Sequence, residues 1–163
     1  MSIRILFVCM GNICRSPAAE CVFQKTLEEA GLSGQVEIDS AGTTAFHTGE
    51  PPDHRMQQEL KKRKVPVFGS ARPVGVEDFE TFDLVLAMDE DNYRSLQKTS
   101  PGKGAKAELK KFGDFCKKTP QADVPDPYYG GRDGFAKVVD MLEDGAQSLL
   151  EWVKGKLHSK EVG

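Results

Sequence analysis

An α/β fold with a doubly wound parallel sheet and helices on both faces is predicted by three observations. Apolar segments of strand length alternate along the chain with segments of helical periodicity. The first segment, Ile3–Cys9, is almost wholly apolar after Arg4, the pattern of a strand buried on both faces. The alternation also calls for parallel crossovers, because a helix must return the chain to the same end of the sheet before each new strand. In such sheets ligands bind beyond the carboxyl ends of the strands, so the site is expected where those ends converge.

Taken in order, Ile3–Cys9 is the first strand. Ser16 reads as an N-cap with Pro17 at the first helical position, and the helix runs to about Ala30, burying Ala19, Val22, Phe23 and Leu27 before Gly31 stops it. Val36–Gly42, "VEIDSAG", is the second strand. A loop rich in turn formers follows, and Asp53 then caps a helix through Lys62 whose thin apolar face predicts exposure. Leu84–Met88 is the third strand, Asp89 starts another helix, "SPGKG" is a surface loop and Ala107–Lys110 is a short fourth strand. The segment "TPQADVPDPYYGGRDG" is a long loop. From Phe135 to Leu157, apolar residues recur at helical spacing over more than five turns' worth of chain, the clearest helix in the sequence.

The totals narrow the function. A chain of 163 residues is read as one domain, 1–163, long enough for a full core. The net charge of −3 provides no reason to expect nucleic acid or membrane as a partner, so any anion site has to be built locally. The four cysteines, Cys9, Cys14, Cys21 and Cys116, form no C-x-x-C pair, and no histidine pair accompanies them, which argues against a metal site. No secretory or membrane-spanning segment is recognisable, and the expected compartment is the reducing cytoplasm, with free thiols. Free thiols in such a chain raise the question of catalysis.

The stretch "ILFVCMGNICRSP" carries that question. Five residues, Met10, Gly11, Asn12, Ile13 and Cys14, separate Cys9 from Arg15, enough to curl so that successive N–H groups point at one centre and bind an anion. Gly11 permits a backbone turn that a Cβ would oppose. The helix starting at Ser16 adds its positive end, and Arg15 offers paired N–H bonds to a phosphate. In the same field a thiol titrates well below its ordinary value of about 8.5, which would make Cys9 a nucleophile without a separate base. The chain has no G-x-x-x-x-G-K-[ST] loop and no G-x-G-x-x-G after the strand, so a nucleotide-binding loop is not supported. Displacing an aryloxide from phosphorus also requires an acid. "DVPDPYYGG" offers Asp123 and Asp126, the latter stiffened by Pro127 and followed by Tyr128 and Tyr129, which could wall an aromatic cleft.

Together, "VCMGNICRSP", "DSAGT" at Asp39–Thr43, "FDLVLAMDEDN" at Phe82–Asn92 and "DPYYGG" at Asp126–Gly131 resemble the low-molecular-weight protein tyrosine phosphatases, in order and over nearly the whole chain. The resemblance implies a four-stranded parallel sheet flanked by helices. It implies a phosphoric monoester hydrolase, acid phosphatase activity included, that acts on phosphotyrosine-containing proteins through a phosphocysteine and uses no metal or other cofactor. It assigns Cys9 as nucleophile, Arg15 as phosphate clamp and Asp126 as general acid and then base. Met10, Gly11, Asn12, Ile13, Cys14, Ser16, Ser40, Phe46, Tyr128 and Tyr129 become its substrate-binding set, within which Asn12 braces the loop with Ser40 nearby, Ser16 bonds the Cys9 thiolate, and Phe46 selects substrate. Many members carry His-x-Ala-Arg before the third strand, whereas this chain reads "GSAR", with Gly69 in the histidine's position. The resemblance further implies a reversible Cys9–Cys14 disulfide and a monomer or weak homodimer. An arsenate reductase on the same scaffold would need relay cysteines after the third strand, where "AMDEDNYRSLQ" has none. A non-catalytic phosphotyrosine binder would need neither Cys9 nor Asp126.

Overall fold

The computed structural model describes residues 2–162. Four strands, β1 (Ile3–Cys9), β2 (Val36–Gly42), β3 (Leu84–Ala87) and β4 (Glu108–Lys111), form one parallel sheet in the order β2-β1-β3-β4. Helices α1 (Arg15–Glu29), α2 (His54–Lys62), α3 (Asp78–Thr81), α4 (Glu90–Thr99) and α5 (Arg132–Val162) connect and cover it. The doubly wound four-stranded sheet expected from the sequence is therefore the fold.

β1 lies between β2 and β3 and is buried on both sides. Ile3, Ile5, Phe7 and Cys9 face one layer, made by α1, α2 and α5, where Phe7 meets Phe23 edge-on at 6.1 Å. Leu6 and Val8 face the other, against Phe79, Val85, Ala87 and Leu96. An alternating strand with both sets of side chains apolar is what a two-sided core demands. The chain passes from β1 outward to β2, then crosses back to the far side of β1 as β3. The sheet thus reverses its winding between β1 and β3, and the crevice at their carboxyl ends is the switch point at which ligands bind in open α/β sheets. Cys9 ends β1, and Asp89 stands two residues beyond β3.

Several boundaries differ from expectation for physical reasons. α1 begins at Arg15, with Cys14 rather than Ser16 as N-cap, and among the described residues no side chain caps it. Instead the Ser16 N–H, one of the donors every helix start leaves free, points at the Cys9 sulfur at 3.5 Å. The helix from His54 to Lys62 is capped by Asp53 as expected. Its narrow apolar face is not exposed, however, because Met56 and Leu60 are fully buried in the layer it shares with α5. β3 stops at Ala87 and β4 is shifted by one residue, while α3, a 3₁₀ turn at Phe112–Phe115 and the start of α5 at Arg132 have no strong sequence signal. Among the described residues no helix is long and apolar enough to cross a membrane.

Candidate active site

The loop between β1 and α1 closes over the end of the sheet. Its left-handed residue is Asn12, at φ 58°, and not Gly11. Gly11 has a different constraint: an added Cβ would stand 3.1 Å from the His47 ring. A tighter approach lies beneath, where a Cβ on Gly42 would come within 2.8 Å of the Met10 carbonyl oxygen and 3.2 Å of the Asn12 Cβ. The carbonyl of Cys9 accepts from the Thr43 N–H and that of Met10 from the Thr44 N–H, which turns both carbonyls toward the segment after β2. Among the described residues, the N–H groups of residues 11–14 donate to no backbone acceptor.

Asn12 holds its strained backbone with its side chain. Its amide donates to Ser16 Oγ at 2.8 Å and to Ser40 Oγ at 3.0 Å, and its Oδ1 accepts from the Arg72 N–H at 3.0 Å. Ser16 Oγ lies 3.0 Å from Cys9 Sγ. Ser40 Oγ in turn donates to Glu20 Oε1 at 2.8 Å. These are buried groups: Asn12, Ser16 and Ser40 are 2%, 0% and 4% exposed. Their side chains stand behind the loop and are not among those that line the cavity. The reason is geometric, since the left-handed turn at Asn12 sends its side chain inward.

Glu20 is the member of this cluster that the sequence did not single out; a carboxylate among the small and apolar residues "SPAAECVF" was the available signal. Burial pushes its carboxyl up to about 7, with Asp39 adding to the rise and the Ser40 hydroxyl and Arg72 opposing it. The unfolded chain ionises it near the ordinary 4.5. Between those values the folded state binds more protons, and stability falls as pH rises. Glu20→Gln removes this titration. Its stability relative to the parent is expected to rise across that window, by up to about 3 kcal/mol, in urea unfolding measured from acid to mildly alkaline pH.

Arg15, its side chain 3% exposed, is fixed from two sides. Nη1 donates to Asp89 Oδ2 at 2.5 Å and to the Val124 carbonyl at 3.0 Å, while Nη2 lies 3.7 Å from Asp126 Oδ2. Burial disfavours its charge, but Cys9, Asp89 and Asp126 more than offset that and hold it firmly protonated. Asp89 does double duty, since its other oxygen accepts from the Asn92 N–H at the start of α4. The Val124 N–H donates to the Met88 carbonyl at 2.8 Å, which stitches the long loop to the end of β3 and brings Asp126 over the cavity.

Cys9, Met10, Gly11, Ile13, Cys14, Arg15, Phe46, His47, Asp126, Tyr128 and Tyr129 line that cavity. Asp126 Oδ1 accepts from the Tyr128 N–H at 3.0 Å, a turn that presents the carboxylate and the two rings to the same opening. Tyr128 and Tyr129 meet edge-on at 5.0 Å, and Arg55, paired with Asp53, lies over the Tyr128 ring at 5.2 Å. Phe46 and Tyr129, 82% and 85% exposed, flank the mouth; His47, which pairs with Glu50 at 2.6 Å, was not anticipated. Asp123 points elsewhere, toward Lys111 at 3.5 Å. Cys14 is a free buried thiol that burial, together with Asp53, Cys9 and Asp126, keeps protonated, and burial pushes Cys21 and Cys116 up to about 11. No group of three or more metal-ligating side chains occurs among the described residues.

The family model described as low molecular weight phosphotyrosine protein phosphatase matches residues 4–159. The chain belongs to that family. A putative low molecular weight protein-tyrosine-phosphatase of Synechocystis is 48% identical over 147 residues, 90% of this chain and 94% of its own. The low molecular weight phosphotyrosine protein phosphatase of Homo sapiens is 40% identical over 148 residues, 90% of this chain and 93% of its own. Among solved structures, a protein tyrosine phosphatase from Entamoeba histolytica with Hepes in the active site superposes with a TM-score of 0.91 at 43% identity, covering 95% of this chain and 99% of that one. Within this phosphatase family, the segment that reads "GSAR" places Gly69 in the left-handed region at φ 99°, beside Glu20. The Arg72 N–H of the same segment, not a side chain at position 69, ties it to Asn12.

Proposed function

We propose that the protein hydrolyses phosphotyrosine and other aryl phosphate monoesters through a phosphocysteine, with phosphotyrosine-containing proteins as its substrates. One observation carries the reading: Cys9, Arg15 and Asp126 line a single cavity whose walls are aromatic. A phosphate seated there meets the N–H groups of the loop and the α1 start. Arg15 has Nη1 committed to Asp89 and Val124, so its Nε and Nη2 edge is the part that clamps two phosphate oxygens.

In the first step the Cys9 thiolate attacks phosphorus. The S–P bond forms as the bond to the aryl oxygen breaks, and Asp126 donates its proton to that departing oxygen. In the second step a water attacks phosphorus, Asp126 takes its proton, and the S–P bond breaks to release inorganic phosphate and the thiolate. The Ser16 hydroxyl steadies the sulfur when it carries charge. Tyr128, Tyr129 and Phe46 offer apolar area to the aryl group and to its neighbours in a peptide. Hydrolysis of p-nitrophenyl phosphate and of phosphotyrosine peptides in excess EDTA is the direct test. Turnover that survives the chelator is expected; a protein that binds these esters without cleaving them would overturn the reading.

A further inference from the structure

We propose that Glu20 is a positioning residue for Cys9: its carboxyl oxygen anchors a chain through Ser40, Asn12 and Ser16 that aims the Ser16 hydroxyl hydrogen at the Cys9 sulfur. The inference rests on the reading of Cys9 as nucleophile.

Hydrogen counting orders the chain. A serine hydroxyl has one hydrogen and two lone pairs, and a primary amide has two N–H donors and one oxygen. The Arg72 N–H bonded to Asn12 Oδ1 fixes which way the amide faces, so both its N–H groups point to Ser40 and Ser16. Ser40 must therefore accept from Asn12, and its single hydrogen goes to Glu20 Oε1 at 2.8 Å. Ser16 likewise accepts from Asn12 at 2.8 Å. Its own hydrogen is left with two acceptors: the Cys9 sulfur at 3.0 Å and the more distant Ala41 carbonyl at 3.4 Å.

Without an acceptor at position 20, the buried Ser40 hydrogen loses its partner. Turned toward Asn12, it opposes an N–H, and the amide must shift or flip. A flipped amide presents oxygen to Ser16, whose hydrogen then leaves the sulfur. Around Glu20 stand Asp39 on β2, Arg72 on the following loop and Cys21 beside it on α1. A carboxyl group keeps an acceptor oxygen in either protonation state, so the ordering needs the oxygen rather than the charge.

The test follows Cys9 alkylation by iodoacetamide against pH, a readout that requires no turnover. Glu20→Met is expected to move the midpoint of the profile to higher pH by about one unit, the size of one hydrogen bond to an ionised group. Glu20→Gln, which keeps an acceptor oxygen, is expected to restore it. Ser40→Ala cuts the chain: alone it is expected to shift the midpoint as Glu20→Met does, and in its background Glu20→Met is expected to add nothing. An unchanged midpoint in Ser40→Ala, or an equal further shift on adding Glu20→Met, would overturn the proposal; Ser40→Ala keeps it testable if Glu20→Met does not fold. Failure of the parent protein to hydrolyse aryl phosphates would instead count against the proposed function and leave these profiles readable.

Discussion

Cys9→Ser is expected to lower p-nitrophenyl phosphate turnover by roughly 10⁴–10⁶-fold, to the assay background, while the protein stays folded. Serine differs from cysteine by one atom, fits the same buried end of β1 and can still bond the Ser16 hydroxyl, so the urea midpoint is expected to change little. The anion cup is built from the loop backbone and Arg15 and is therefore retained. What disappears is the sulfur nucleophile, since an alcohol ionises far less readily than a thiol and attacks phosphorus poorly without a base. The variant is expected to bind inorganic phosphate as the parent does, and labelled phosphate is expected to become acid-stable on the parent protein but not on Cys9→Ser. Turnover within tenfold of the parent would show that another group attacks phosphorus.

Asp126→Asn carries the second large effect. Removing general acid catalysis costs about 10²–10⁴ in rate, and the cost depends on the leaving group. Phenyl phosphate, whose phenoxide is a poorer leaving group, is expected to suffer more than p-nitrophenyl phosphate, whose nitrophenoxide needs little protonation. The pH dependence of kcat is expected to lose the limb on which the protonated acid is required. Because the same carboxylate activates water in the second step, phosphocysteine is expected to accumulate when the leaving group is good. Asp123→Asn provides the control, as Asp123 reaches toward Lys111 and does not line the cavity. If the limb vanishes in Asp123→Asn and persists in Asp126→Asn, the acid has been misassigned.

The sequence and the structure agree where the information is local. β1 is legible because seven nearly uniform apolar residues suit only a strand covered on both faces. Helix α5 is legible because its apolar residues recur at helical spacing over many turns. The boundary of α1 is misread at Ser16 for an equally physical reason: the capping preference assumes that a side chain satisfies the first N–H groups, whereas here the Cys9 sulfur faces one of them. The exposure expected of the helix over His54–Lys62 fails because two apolar residues suffice when a long helix lies alongside.

Within the site, the spacing from Cys9 to Arg15 and the Asp126–Tyr129 segment are readable because one loop or one turn carries each set. By itself the sequence determined the chemistry on offer, a thiol and a guanidinium set around a helix start, together with a carboxylate beside two aromatic rings. Only the tertiary structure decided which groups meet: that Asp89 and the Val124 carbonyl orient Arg15, that Asp126 rather than Asp123 lines the cavity with Cys9, and that Glu20 and Ser40 stand behind Asn12. These contacts join residues far apart in the chain, and their geometry is set by strand order and by the crossing of loops at the switch point. No periodicity or spacing within a single segment encodes that.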